Sequence, residues 1–220
     1  GICDAGDVNV VFNVNLDGTA DFVNIEDAID ATSSGDTVLV ANGIYSGSGN
    51  IDLNFDGKSI VLMSENGPDS TIIDCGNNER GITFESGENL TSVLDGFTIT
   101  NGNRSDGGGI YVDYSSPTIR NCIITNCIAD HGGGIYIESS SLTTLTNVTI
   151  SDNNATQEGG GMYGIDSDII MTKVIITDNI SSVGNDWWDA GGIYFESSNV
   201  ESANITFFNN EAIGGENAVG

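Results

Sequence analysis

Basic residues are what this chain has least of. Five lysines and arginines stand against 32 aspartates and glutamates in 220 residues, a net charge of −27. Nucleic acid is thereby excluded as a partner. Phosphate binding rests on Lys and Arg displacing counterions, and Lys58, Arg80, Arg104, Arg120 and Lys173 are too few and too scattered to form a basic stripe. Membrane insertion is excluded too: an anionic surface repels the chain, and no apolar run approaches the ~18 residues needed to span a bilayer. Proline is almost absent, at 2 residues, while glycine reaches 30, a skew toward tight turns and short strands that argues against a helical bundle. The four cysteines, Cys3, Cys75, Cys122 and Cys127, fit neither a paired C-x-x-C metal site nor a dense disulfide scaffold, and their pairing stays open. High charge with few aromatics is the usual mark of disorder. Here, however, apolar residues recur in short ordered runs, so the acid coats a folded surface.

What the chain does have is a repeat. Its first half reads Phe97-Thr-Ile99-Thr-Asn101, Cys122-Ile-Ile124-Thr-Asn126, Val148-Thr-Ile150-Ser-Asp152, Val174-Ile-Ile176-Thr-Asp178 and Ile205-Thr-Phe207-Phe-Asn209, in steps of 25, 26, 26 and 31 residues. Its second half reads Gly109-Ile110-Tyr111-Val112, Gly134-Ile135-Tyr136-Ile137, Gly161-Met162-Tyr163-Gly164 and Gly192-Ile193-Tyr194-Phe195. Both halves alternate apolar and polar, so each is a short strand with one buried face. A third strand ends at Leu94, Ile119, Leu145 and Met171. Three strands and three turns per ~25 residues make one coil of a parallel β-solenoid, whose neighbouring coils lie ~4.8 Å apart and complete each other's ladders. The glycine doublets and triplets near 107–109, 132–134, 159–161 and 191–192 mark a corner of positive φ or close coil stacking, where insertions collect.

Upstream, Phe22, Ile25, Ala28 and Ile29 fall at helical spacing behind Asn24 as N-cap, giving a short helix that closes the N-terminal end of the core. Val8, Val10, Phe12, Val14 and Leu16 alternate as a further strand. No comparable helix follows Phe207, so the C-terminal end of the coil stack reads as uncapped. The expected organisation is one all-β domain over residues 1–220: strand and capping helix in 1–35, then about seven coils in 36–220.

The stretch Asp17-Gly18-Thr19-Ala20-Asp21-Phe22, with Ile25 to Ile29 and Gly35 to Tyr45, resembles the cap and first coil of pectin lyase-like right-handed parallel β-helix proteins, among them pectin methylesterases. The Gly-Gly-Gly-Ile-Tyr and Ile-Thr-Asn repeats resemble those of secreted bacterial β-helix surface proteins of the polymorphic outer-membrane type. The resemblance covers residues 17 to about 213. It implies a single-stranded right-handed β-helix and an extracellular or cell-surface location. It does not fix an activity, because this fold carries lyases, hydrolases, esterases, adhesins and fibre proteins alike. Family members acting on acidic glycans would need converging basic groups, and Arg104, Arg120 and Lys173 do not converge.

Several rows carry chemistry. If Ile110 and Val112 face inward, alternation turns Tyr111 outward, and with it Tyr136, Tyr163 and Tyr194, giving an aromatic wall beside the insertion that holds Trp187 and Trp188. Such a wall either stacks on a neutral glycan or a protein partner, or stabilises itself. Asp106, Asp130, Glu158 and Asp189 line the Gly-rich corner and Asp152 and Asp178 stack one coil apart; these acids read as a solvated edge, as a site for Ca²⁺, or as paired carboxylates for glycoside hydrolysis. No cofactor is required. His131, the single histidine, reads as an exposed turn residue rather than a general base. Asn101, Asn126 and Asn209, with Asp152 and Asp178, read as a stacked corner that staples coils. The expected function is a non-catalytic structural or adhesive module, binding polysaccharide or protein through the aromatic wall or associating end to end into fibres. The alternative is a carbohydrate-active enzyme using acidic pairs.

Overall fold

The structure, a computed structural model, describes residues 9–139, 141–182 and 190–213. Every strand pair in it is parallel, and pairing runs from each coil to the next rather than between neighbours in sequence. The strands fall into sheets of 13, 6 and 4 members, wound into about seven turns. Within a coil the chain passes through Thr118–Arg120, Ile123–Thr125, Ile128–Ala129 and Ile135–Glu138 before the next coil begins at Leu142. Four strands therefore replace the three expected. The additional one, Ile128–Ala129, pairs with Asn154–Ala155 and lies in the corner that the sequence marks only by glycine.

Alternation and in-register pairing together build the core. Ile73, Ile99, Ile124, Ile150 and Ile176 stand one above another, and so do Leu62, Leu94, Ile119, Leu145 and Met171. A third row runs Ile82, Ile110, Ile135 and Met162. All of these are buried. Each such side chain contributes about 1.5–3 kcal/mol by leaving water. Cys75, Cys122 and Cys127 belong to the same interior as unpaired thiols, and burial pushes the Cys122 and Cys127 thiols up to about 12. Cys3 lies outside the described residues.

The corners turn on left-handed residues. Asn121, Asn147, Lys173 and Asn204 hold φ of 54°, 55°, 55° and 59° at one corner, and Asn101, Asn126, Asp152, Asp178 and Asn209 hold 57°, 55°, 56°, 57° and 52° at the next. Asparagine and aspartate tolerate this region best among residues with a side chain. The expected column does staple coils on the outside, where the Asn101 amide donates to Asp74 Oδ1 at 2.9 Å and the Asn209 amide to Asp178 Oδ1, but a second, buried column of asparagines was not expected. A residue in the left-handed conformation turns its side chain to the outside, and the following residue points in. The inward ladder is Asn153, Asn179 and Asn210, in which the backbone N–H of each of the first two donates to the amide oxygen of the next at 3.0 and 3.1 Å.

The N-terminal elements follow the same logic with two departures. Val11–Val14 pairs with Thr37–Val40; Val8 lies outside the described residues, Val10 and Leu16 stay exposed, and the alternation buries Val14 and, in part, Phe12. The helix Ile25–Ala31 buries Ile25, Ala28 and Ile29. Asn24 stands at its N-cap without capping it. The Ile25 N–H donates to Asn50 Oδ1 at 3.1 Å and the Glu26 N–H to the Gly49 carbonyl at 2.9 Å, so a neighbouring loop closes the helix. Glu88, 2 % exposed, is another unexpected knot. Its carboxylate accepts from the Gly57 and Ser86 N–H groups at 2.8 and 2.9 Å and the Ser115 hydroxyl at 2.7 Å, which accounts for its burial.

Candidate functional site

Tyr111, Tyr136, Tyr163 and Tyr194 stand in register on the outer phase of the six-stranded sheet. Their rings lie face to face, with centroids 5.7, 5.2 and 5.2 Å apart and interplanar angles of 12°, 2° and 19°. The Arg80 guanidinium lies over Tyr111 at 4.5 Å, and His131 meets Tyr163 edge-on at 5.4 Å. Tyr111 donates to Glu138 Oε1 at 2.5 Å and Tyr163 to Glu196 Oε2 at 3.3 Å. Coil spacing is the cause: side chains repeated every ~4.8 Å leave room for flat rings only when they stack along the axis. The row is outward, as expected, yet Tyr163 is only 8 % exposed. Both faces of Tyr136 and Tyr163 are covered by neighbouring rings, and Tyr111 is closed by Arg80 on one side and Tyr136 on the other, so the row offers a sugar mainly edges.

The stack has a consequence for pH. Burial first, and then the glutamates beside them, raise the phenols of Tyr111, Tyr136, Tyr163 and Tyr194 above the ordinary tyrosine range, and burial does the same for Tyr45. The folded chain thus keeps protons that the unfolded chain releases near pH ~10, so this stabilisation is whole below that pH and is lost as pH rises beyond it. In an absorbance titration the native protein is expected to withhold these phenolates and then ionise them in one steep step as the fold gives way, while the chain in denaturant titrates gradually about pH ~10. A gradual native titration centred there would refute the covered stack.

The acidic candidates divide between two edges. At the Gly-rich corner, His131 Nδ1 lies 3.1 Å from Asp106 Oδ1 and its Nε2 3.3 Å from Glu158 Oε2. His131 is therefore a bridge between carboxylates on the coils below and above, not the exposed turn residue expected. Asp130 accepts from the Thr156 hydroxyl at 2.6 Å. At the other edge Asp178 accepts from the Asn209 amide at 2.5 Å and the Thr177 hydroxyl at 2.6 Å, bonds that lower its pKa, and Asp152 holds the matching place one coil earlier. Among the described residues, no three of His, Cys, Asp and Glu gather as metal ligands would. Asp189, Trp187 and Trp188 lie outside the described residues. Of the cations, Arg120 pairs with Asp95 at 2.8 Å, while Arg104 pairs with Glu79 and stands 3.6 Å from Asp52.

A recess lies elsewhere, at the corner that follows the six-stranded sheet. There Tyr114, Ser139, Asp166 and Ser197 occupy the left-handed seat of successive coils, with φ of 45°, 61°, 47° and 48°. With Ser167, Asp168 and Asn199 they line a trough of about 540 Å³. Tyr114 is 72 % exposed, and Asp168 Oδ1 accepts from the Asn199 amide at 2.7 Å. None of these residues stood out in the sequence. The available signal was that Tyr114 holds a place which the neighbouring repeats give to Ser or Asp. At the last described coil Phe207 and Phe208 are 58 % and 68 % exposed beside a smaller hollow.

Comparison with known proteins agrees with this architecture. The family model described as "right handed beta helix region" matches residues 59–219. A pectin methylesterase from carrot is similar in structure, with a TM-score of 0.56 at 16 % identity over 87 % of this chain and 63 % of that one. A pectin methylesterase variant in complex with a hexasaccharide gives 0.51 at 14 % identity, over 90 % of this chain and 80 % of that one. This chain thus spans less than two thirds of the carrot enzyme. No match arises among curated proteins. At these identities the likeness speaks for the fold.

Proposed function

The chain belongs to the right-handed β-helix family, and on that premise we propose that it is an extracellular, non-catalytic module: a stiff rod that binds a neutral glycan without turning it over. The whole chain, 1–220, would form one such unit, with the helix Ile25–Ala31 as its N-terminal cap and the Phe207 face as the place where a further coil adds. The observation that carries this reading is that the chemically capable groups on the outer wall close on one another. Tyrosine packs on tyrosine and glutamate, His131 sits between Asp106 and Glu158, and Arg104 and Arg120 are matched by acids. Groups so engaged stiffen a solenoid, whose stability is a sum of contacts between adjacent coils. The charge of −27 favours neutral over acidic sugars.

A carbohydrate-active enzyme is the second reading, favoured by the two carboxylates, Asp166 and Asp168, at one trough. Affinity electrophoresis in gels of neutral glucan, galactan and mannan, of polygalacturonate and of methyl-esterified pectin tests both, alongside assays for reducing ends, unsaturated products and methanol. Retardation by a neutral polymer with no product is expected. Product from any polymer hands the case to the enzyme, and free migration in all of them rejects glycan binding.

A further inference from the structure

We propose that the trough at the corner after the six-stranded sheet is the glycan site, with Tyr114 as the stacking platform and Asp166 and Asp168 as acceptors for neighbouring sugar hydroxyls. The proposal rests on the glycan-binding reading and adds to it a place and a chemistry.

Tyr114 differs from the outward tyrosines of the six-stranded sheet in how it is held. Those rings stack on one another, whereas Tyr114 is 72 % exposed and makes none of those ring contacts. It is also the only aromatic among the non-glycine residues at positive φ in the described chain. For a bulky side chain that conformation is an outlier that works against folding. Asparagine or aspartate fills most such seats here, so folding alone does not ask for tyrosine at this one.

The surroundings fit a neutral polyol. The trough, at about 540 Å³, lies within the ~300–1,000 Å³ of small-molecule sites. Asp168 is fixed through one oxygen by Asn199, 2.7 Å away, which leaves the other free to accept. Two carboxylates and no basic group line the recess, so it accepts hydroxyl protons and repels a uronate. An aromatic face beside polar acceptors suits a pyranose, which carries C–H groups on its faces and hydroxyls around its rim.

The experiment is affinity electrophoresis of the whole chain in neutral glucan, galactan and mannan and in polygalacturonate, for the wild type, Tyr114→Asn and Asp168→Asn, with a melting curve for each. The wild type is expected to be retarded by a neutral polymer. Tyr114→Asn and Asp168→Asn should each weaken retardation at least about tenfold, the value of one stacking contact or one charge-assisted hydrogen bond. Tyr114→Asn should melt no lower than the wild type, because asparagine accepts the left-handed seat. A wild type retarded as strongly as Tyr114→Asn overturns the site and leaves the glycan reading standing. Retardation by polygalacturonate alone overturns the ligand class, and no retardation overturns both. A Tyr114→Asn chain that melts well below the wild type would show that the residue serves the fold instead.

Discussion

Asn179→Ala is expected to cost about 3–5 kcal/mol, well beyond the ~1 kcal/mol of an ordinary substitution. The side chain is fully buried and serves five hydrogen bonds in all with its own backbone N–H. Its Nδ2 donates to the Ile150 carbonyl and to Asn210 Oδ1, both at 2.9 Å, and its Oδ1 accepts from the Asn153 N–H and the Asn153 amide, both at 3.0 Å. Its own N–H donates to Asn210 Oδ1 at 3.1 Å. Alanine keeps only the last of these and strands buried groups on the coils to either side. Asn153 cannot turn to water, since it is buried as well. Asn179→Asp is the sharper variant, because it keeps the shape but aims an oxygen at the Ile150 carbonyl and Asn210 Oδ1 and buries a charge. Urea unfolding should show Asp to be at least as damaging as Ala. For a chain of this length the alanine loss corresponds to a fall in Tm on the order of 10 °C. A cost under ~1 kcal/mol would mean that the ladder is dispensable.

The coil and its rows were legible because two periods coincide. Alternation says that Ile110 and Val112 share a face, and the recurrence of Gly-Ile-Tyr says that Ile135 and Met162 repeat it one coil on. The rows of the core and the outward phase of the tyrosines follow from those alone. Corners break the alternation, and there the sequence is ambiguous. Asp152-Asn153, Asp178-Asn179 and Asn209-Asn210 each offer two polar residues side by side, and only the left-handed φ of the first sends the second inward. Ring orientation was equally hidden, since a tyrosine can be outward and still have both faces covered. The bridge at His131 was within reach. Asp106, His131 and Glu158 each precede the left-handed glycine of their coil, Gly107, Gly132 and Gly159, so they had to share a column. The trough left a fainter mark, the single tyrosine at Tyr114 in a place that the next repeats give to Ser139, Asp166 and Ser197.

Gly134→Ala is expected to be as damaging as loss of the ladder, about 3 kcal/mol or more, although it adds one methyl group. The reason is space, not backbone conformation, for Gly134 is not among the residues at positive φ. A Cβ there would stand 2.7 Å from the Gly161 carbonyl oxygen and 2.9 Å from the Asn153 amide nitrogen. The carbonyl cannot swing aside, because it accepts from the Gly134 and Ile135 N–H groups, both at 3.0 Å. The Asn153 amide cannot either, because it donates to the Ile124 carbonyl at 3.0 Å. Relief therefore requires one coil to lift from the next, at the cost of the pairing between Ile135 and Met162. Gly76 supplies the contrast. Its φ is +63°, yet nothing lies within 4 Å of its Cβ position, so Gly76→Ala should cost only the ~1 kcal/mol of a left-handed alanine. Gly134→Ala combined with Asn153→Ala should cost less than the two changes summed, since removing the amide frees part of the space the methyl needs. Strict additivity in that pair, or equal losses at Gly134 and Gly76, would show that the coils tolerate a wider gap at this corner than their hydrogen bonds imply.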